Sequence, residues 1–301
     1  MWRAYGRLMR LSLAPSAVAD VVAGLVFASN GAWPLDARAW WLVPASLGVY
    51  HGALVLNDWN DRDHDARTRP QRPLVSGAVA PRAALLLGLV LVVSGVAAAS
   101  LAAPSSGVWM GAVALLALAY DWAGRGPWVG PLLLGTCRAL NLGAGVFFVA
   151  VSAGRLDLGA FAPCLAYGAY VFSVSRLGRM EDAEDSAPLG SRPRTLLIVI
   201  AALLFAPLCV PPVFAVERVA ALVVALWAAS GLLRAAVGTK PWTRPLVESA
   251  MGACLRRLLA FAAIVTLLRA SQTEWAAWIA AAVIGSGYAL SHALRRVFPP
   301  S

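Results

Sequence analysis

Nine consecutive residues, Asn57-Asp58-Trp59-Asn60-Asp61-Arg62-Asp63-His64-Asp65, include four aspartates. On a helix running through them, Asp58, Asp61 and Asp65 share one face, because residues three and four apart are neighbours. Three carboxylates on one face repel one another and need a counter-charge, and clustered oxygen ligands suit a hard divalent cation. Magnesium commonly binds through one or two carboxylates plus the phosphate oxygens of a substrate. The cluster therefore predicts a phosphorylated ligand bridged by Mg2+. The segment Arg67-Thr68-Arg69-Pro70-Gln71-Arg72-Pro73 follows at once. Guanidinium groups make paired hydrogen bonds to phosphate, and Pro70, Pro73 and Pro81 break the helix into a shaped loop. A calcium loop is the rival for the alternating Asp61, Asp63 and Asp65. That loop wants Gly at its sixth position and Glu at its twelfth, where this chain has Ala66 and Arg72.

A second acidic stretch reads Arg176-Leu177-Gly178-Arg179-Met180-Glu181-Asp182-Ala183-Glu184-Asp185. Glu181 and Asp185 are four apart, with Asp182 beside them. Facing the first cluster, they would let two or more ions clamp one diphosphate and stabilise charge on it as it leaves. By itself this loop reads more readily as a solvated acidic surface. The two stretches together hold more than half of the acidic residues in the chain.

The elements that must position these residues are membrane helices. Of the 301 residues, 60% are hydrophobic and 13% charged, with a mean hydropathy of +0.71, whereas soluble domains average roughly 45–50% apolar and about 25% charged. Runs of about 20 apolar residues, enough to span a bilayer, fall at 12–30, 39–58, 82–102, 107–121, 129–151, 159–178, 194–214, 217–237, 248–269 and 275–294. The expectation is one integral membrane domain over 1–301, an all-α bundle of nine or ten spans. The ninth run is the weakest, since Arg256 and Arg257 lie inside it.

The net charge of +10 is almost entirely arginine, Lys240 being the one lysine. Arginines cluster in alternate gaps: Arg3, Arg7 and Arg10; the loop after the second span; Arg125; Arg179, Arg192 and Arg194; Lys240 and Arg244; Arg295 and Arg296. The opposite gaps hold only Arg38, Arg155, Arg218 and Arg269. Positive charge marks the cytoplasmic side, so the N-terminus and both acidic loops are expected there, in a multi-pass protein of the cell membrane. Topology and lipid headgroups account for this basic charge without nucleic acid. Arg138 is different, because a charge inside a span is costly and marks function. Tyr50, Tyr167 and Tyr170 are candidates for lining a cavity, with core packing the simpler role for each. Cys137, Cys164, Cys209 and Cys254 lack the spacing of a zinc or disulfide framework.

The stretch from Asn57 to Asp65 resembles the first aspartate-rich motif of the UbiA superfamily of intramembrane prenyltransferases, and Thr68, Pro70, Arg72, Pro73, Ser76 and Gly77 extend the resemblance. It implies a helical bundle with a central cavity open laterally to lipid, Mg2+, a prenyl diphosphate donor and a small hydrophobic, often aromatic, acceptor. Carried over by position, Asn57, Asp58, Asp61 and Asp65 hold diphosphate and metal, with Arg72 on phosphate. The family's second motif is usually Asp-x-x-x-Asp. Here it is Glu181-x-x-x-Asp185 or a register centred on Asp182, so Glu181, Asp182 and Asp185 are its candidate ligands. Tyr120 and Arg125 resemble a tyrosine and a basic residue that often follow the fourth helix. Arg138 and Asn141 resemble a polar pair of the fifth, and Ser175-Arg176 is similar to the EboC-like branch. Two other readings fit the same chain. One is a transporter, which would place ionisable sites near the midplane rather than at one face. The other is an accessory protein that binds prenyl diphosphate without catalysis.

Overall fold

A computed structural model of the chain describes residues 2–123, 126–180, 189–210, 218–238, 241–271 and 275–298, all of them helical or connecting, with no strand among them. The expected all-α bundle is what forms. A short helix α1 (Trp2–Leu8) turns at Arg10, which has a φ of 51°, into α2 (Ala14–Ala28), started by Pro15 in its first turn, where the missing proline N–H loses nothing. Asn30 and Gly31 end α2 with positive φ. The Gly31 N–H closes the helix on Val26 O at 2.9 Å, and a Cβ at Gly31 would stand 2.0 Å from Arg269 O. Both the left-handed turn and the close approach therefore require glycine here.

The helix that bears the first motif is α3 (Leu42–Asn60), continued by α4 (Arg62–Thr68). Asp36 caps the 3-10 turn (Ala37–Trp41) that leads into α3, accepting from Arg38 N at 2.9 Å. Hydrogen bonds from Arg38 hold the exposed Asp36 carboxyl below its usual range. Asp157 caps the 3-10 turn before α8 in the same way. Between them run α5 (Pro81–Ala102), α6 (Pro104–Ala123) and α7 (Val129–Ser152). After them come α8 (Ala162–Gly178), α9 (Arg192–Leu203), α10 (Arg218–Gly238), α11 (Arg244–Leu267) and α12 (Ala276–Val297).

Among the described residues, eight helical segments are long and apolar enough to cross a membrane, and α11 is among them despite Arg256 and Arg257. The expected runs over 107–121 and 194–214 are not among the eight; the first lies within the 20 residues of α6, and residues 211–214 of the second lie outside the described residues. The twelve residues of α9 reach about 18 Å, against a hydrocarbon core of about 30 Å, before Pro207 enters a 3-10 turn. Outward faces are apolar: Leu86, Val93, Leu115, Val223 and Val283 are each more than half exposed, and Trp2, Trp128 and Trp275 likewise. An apolar surface of this extent suits lipid, with tryptophan favoured at the headgroup level.

Small residues bring the motif helix against its neighbour. Gly48 and Gly52 lie one turn apart on α3 and meet Gly88 and Gly95 of α5, its most extensive partner. A Cβ at Gly48 would stand 2.7 Å from Leu91 O, and one at Gly95 2.7 Å from Val49 N. Membrane helices that cannot gain from water exclusion associate by such close approach. Gly48→Ala is therefore expected to lower stability by about 1–3 kcal/mol through overpacking. Gly111→Ala on α6, where nothing lies within 4 Å, is expected to raise it by up to about 1 kcal/mol through helix propensity. Melting in detergent reads both, and a drop of similar size in both variants would refute the close-packing account.

Candidate active site

The first motif straddles a break between helices. α3 ends at Asn60, Asp61 (φ −86°, ψ 1°) caps it, and α4 starts at the next residue. The ladder is nonetheless carried across, from Asp61 N to Asn57 O at 2.9 Å and from Asp65 N to Asp61 O at 2.9 Å. Asp58 and Asp65 consequently stay on one side, as expected, and both turn inward to 2% exposure. There they converge on Arg72, 6% exposed, whose Nη1 donates to Asp58 Oδ1 at 3.2 Å and pairs with Asp65 Oδ2. Arg10 Nη2 adds a bond of 2.7 Å to the same Asp58 oxygen. Much of the counter-charge that the sequence assigns to a metal is thus supplied by two arginines. Arg72, expected on phosphate, is engaged with carboxylates. The other Asp58 oxygen, Oδ2, is buried with no hydrogen-bond partner among the described residues.

Asp61 turns the other way. Asn57 Nδ2 donates to Asp61 Oδ2 at 3.3 Å and to Asp121 Oδ1 at 2.8 Å, and Asn60 Nδ2 donates to Asp121 O at 3.1 Å. Asn57 therefore draws two carboxylates, from α3 and α6, to one amide. Asp121 is a site residue that reading the motif alone overlooks; its signal is an acid at the end of an apolar run, beside Tyr120.

Asn57 and Asp121 form the mouth of a cavity with an empty volume of ≈ 650 Å³, open space at its mouth included. Its wall is built from helix faces: Val49, Ala53 and Asn57 on α3, Val113, Ala117 and Asp121 on α6, and Leu134, Arg138 and Asn141 on α7. Each set repeats at three- or four-residue spacing, so each helix turns a single stripe inward. The stripes are polar at the mouth and apolar between. Charge returns at the other end, where Arg138 and Asn141, each 6% exposed, meet Asp20 of α2 and Tyr167 of α8, both 0% exposed. Tyr167 Oη donates to Asp20 Oδ1 at 2.6 Å and accepts from Arg138 Nη2 at 3.0 Å, while Asn141 Nδ2 donates to Asp20 Oδ2 at 2.9 Å. Arg138 Nη1 lies 3.1 Å from Asp20 Oδ2, close enough to pair as an ion but out of line for a hydrogen bond, and Nε is unpartnered. Asp20 carries its own signal in the sequence, as the lone acid in the first apolar run, where an ionisable side chain calls for a partner. Tyr50, also on the wall, lies under the Arg138 guanidinium at 5.1 Å from its ring centroid. Tyr170 packs in the core on Phe261 instead.

The remaining candidates fall in three places. Tyr120 lines the cavity, and its hydroxyl accepts from Arg179 Nη2 at 3.5 Å. Arg176 lies off the cavity wall, donating to Pro127 O and stacking 3.8 Å from the Trp128 ring centroid, which ties α8 to the segment before α7. Arg125, Glu181, Asp182 and Asp185 lie outside the described residues.

Among the described residues no group of three or more His, Cys, Asp or Glu is gathered to hold a metal by itself. The donor set still fits magnesium shared with a ligand. Asp61 and Asp121 offer two carboxylates drawn together by Asn57, and Mg2+ completes such a set with waters and phosphate oxygens.

Fold and site together define a polytopic membrane protein built around a cavity with an acidic mouth, an apolar wall and a charged inner end. Residues 17–256 match the UbiA prenyltransferase family. The chain belongs to that family. A digeranylgeranylglyceryl phosphate synthase of Pyrococcus horikoshii is 30% identical over 163 residues, 52% of this chain and 56% of that protein, so the match spans little more than half of that relative's length. Solved structures share the fold at lower identity. A UbiA homologue from Aeropyrum pernix K1 has a TM-score of 0.61 at 17% identity, covering 93% of this chain and 98% of its own. A UbiA homologue from Archaeoglobus fulgidus bound to GPP and Mg2+ has a TM-score of 0.55 at 16% identity, covering 97% and 99%.

Proposed function

We propose that this protein transfers a prenyl group from a prenyl diphosphate to a small hydrophobic acceptor within the membrane, with Mg2+. The observation that carries this reading is the polarity of the cavity, with Asn57 and the Asp121 carboxylate at the mouth and an apolar wall behind them. That gradient matches an amphiphile with an anionic head and an isoprenoid tail. Family membership and the GPP and Mg2+ held by the Archaeoglobus fulgidus homologue support it.

Asp61, Asp121 and the free oxygen of Asp58 would hold the metal, with Glu181, Asp182 and Asp185 completing the set from the second acidic loop. Bound Mg2+ would stabilise the negative charge that accumulates on diphosphate as its carbon–oxygen bond breaks. Asn57 keeps the Asp61 and Asp121 carboxylates side by side, so that little reorganisation is needed when the head arrives. Arg10 and Arg72 hold Asp58 and Asp65 in place. Val113, Ala117, Ala53 and Leu134 exclude water from the allylic carbon, and the Tyr50 ring offers it a π-face, which favours cations. Arg138 and Asn141 are placed to receive a polar group of the acceptor at the inner end. The motif at the mouth lies beside an arginine-rich loop, and an excess of positive charge favours the cytoplasmic side for that end.

The test is binding of geranylgeranyl diphosphate to the detergent-purified protein, with Mg2+ and with EDTA, for wild type and Asp61→Ala. Magnesium-dependent binding that weakens by about tenfold or more in the variant is expected. Absence of binding with geranyl, farnesyl and geranylgeranyl diphosphates alike would sink the proposal and bring a transporter forward.

A further inference from the structure

Adjacent arginines within the α11 span meet different environments. Arg257 is satisfied by backbone, donating from Nε to Ala228 O at 2.8 Å and from Nη1 to Ala253 O at 2.9 Å. Arg256 points instead into a notch between α2, α11 and α12, lined also by Arg295, with an empty volume of ≈ 240 Å³, the open space above it included. The two guanidinium groups converge over Gly252. A Cβ built on that glycine would stand 3.6 Å from Arg256 Nη1 and 3.8 Å from Arg295 Nη1. The Nε of each is shielded from solvent without a hydrogen-bond partner, and neither side chain forms an ion pair among the described residues.

The rest of the lining defines what could sit there. Leu13, Leu255 and Leu259 close the apolar side. Ser16 Oγ and Ser291 Oγ donate to Leu13 O and Ser12 O at 2.8 Å each, so their protons are already used. The notch therefore presents arginine N–H donors and no acid. Two like charges held together repel, and buried guanidinium nitrogens left unpaired are costly. A doubly accepting anion relieves both, and the planar guanidinium fork matches phosphate oxygens in particular. Arg295 lies in the last turn of α12 beside exposed Arg296, where long basic side chains reach lipid headgroups. None of these residues lines the active-site cavity.

We propose that the Arg256–Arg295 notch binds a phosphate group, presented by a phospholipid headgroup or free in the adjoining water. The experiment is native mass spectrometry and melting of the full chain in detergent, with dioleoyl phosphatidylglycerol, dioleoylglycerol and inorganic phosphate as separate probes. Wild type is compared with the double variant Arg256→Gln/Arg295→Gln and with Gly252→Leu, which fills the notch and keeps both charges should the double variant fold poorly. Wild type is expected to retain phosphatidylglycerol at least about tenfold better than either variant, the range for hydrogen bonds to charged groups, with no difference for dioleoylglycerol. That outcome assigns the phosphate to lipid. Stabilisation of wild type alone by inorganic phosphate, without lipid retention, assigns it to the free anion. Equal behaviour of wild type and both variants towards both phosphate probes overturns the site.

Discussion

Asp61→Ala is expected to lower prenyl transfer by about a thousandfold, the rate equivalent of several kcal/mol of lost charge stabilisation, with a melting temperature close to wild type. Asp58→Ala, three residues earlier in the same motif, is expected to fail in another way. Asp58 is 2% exposed and receives Arg10 at 2.7 Å and Arg72 at 3.2 Å. Its removal strands two cations in a buried place, and breaking a buried pair by deleting one partner costs about 3–5 kcal/mol. Asp61 is only half-buried and meets the Asn57 amide at 3.3 Å, so water reaches the groups around it when its carboxylate is removed. Melting in detergent and single-turnover assays with labelled donor separate the two effects. Equal melting of both variants would remove the ion-pair role from Asp58, and full turnover in Asp61→Ala would remove Asp61 from the site. Asp58→Asn keeps the shape but not the charge, and is expected to melt between wild type and Asp58→Ala.

The second large effect lies at the inner end of the cavity. Asp20→Leu alone leaves the Arg138 guanidinium uncompensated inside the bundle, where a charge is expensive, and is expected to cost about 3–5 kcal/mol. Asp20→Leu combined with Arg138→Leu removes both charges, and apolar replacement of a whole buried pair is often neutral or stabilising. The double variant is therefore expected to melt near wild type yet transfer little prenyl group, because Arg138 and Asn141 line the cavity while Asp20 stands behind them. Tyr167→Phe, which deletes a hydroxyl bonded to both Asp20 and Arg138, is expected to cost about 1–3 kcal/mol. A double-mutant cycle on melting temperature measures the coupling. A double variant no more stable than Asp20→Leu would show that the pair does not stand alone, and wild-type turnover in it would confine the network to a structural part.

Several features were legible along the chain because they depend on local spacing alone. Among the described residues, eight of the ten apolar runs between 12 and 294 lie in helices long and apolar enough to cross a membrane. The three- and four-residue spacing of Asp58, Asp61 and Asp65 specified a helical face, and Asp58 and Asp65 do share one. The extended motif from Asn57 to Gly77 carried the family resemblance, and the family match over 17–256 bears it out. Composition excluded a water-soluble domain, since a chain 60% apolar has more apolar surface than a core of this size can hide.

What only the tertiary structure decided is which charges meet across helices. Arg10 and Asp58 lie 48 residues apart, Asn57 and Asp121 64, and Asp20 and Asn141 121. Asp61 left the face of its neighbours because α3 is capped at that residue, and Arg72 turned from the expected phosphate to two carboxylates because the loop after α4 folds back over the motif. Periodicity states which side chains share a stripe. It does not state how far a helix is rotated or shifted along its neighbour, and that choice is made by packing, here through glycine contacts such as Gly48 against Gly95. A shift of one residue along α2 would turn Asp20 by about 100°, away from Arg138. The carboxylates of the motif were therefore written in the sequence, whereas their meeting with Asp121 at the mouth and the charged inner end had to be assembled by packing.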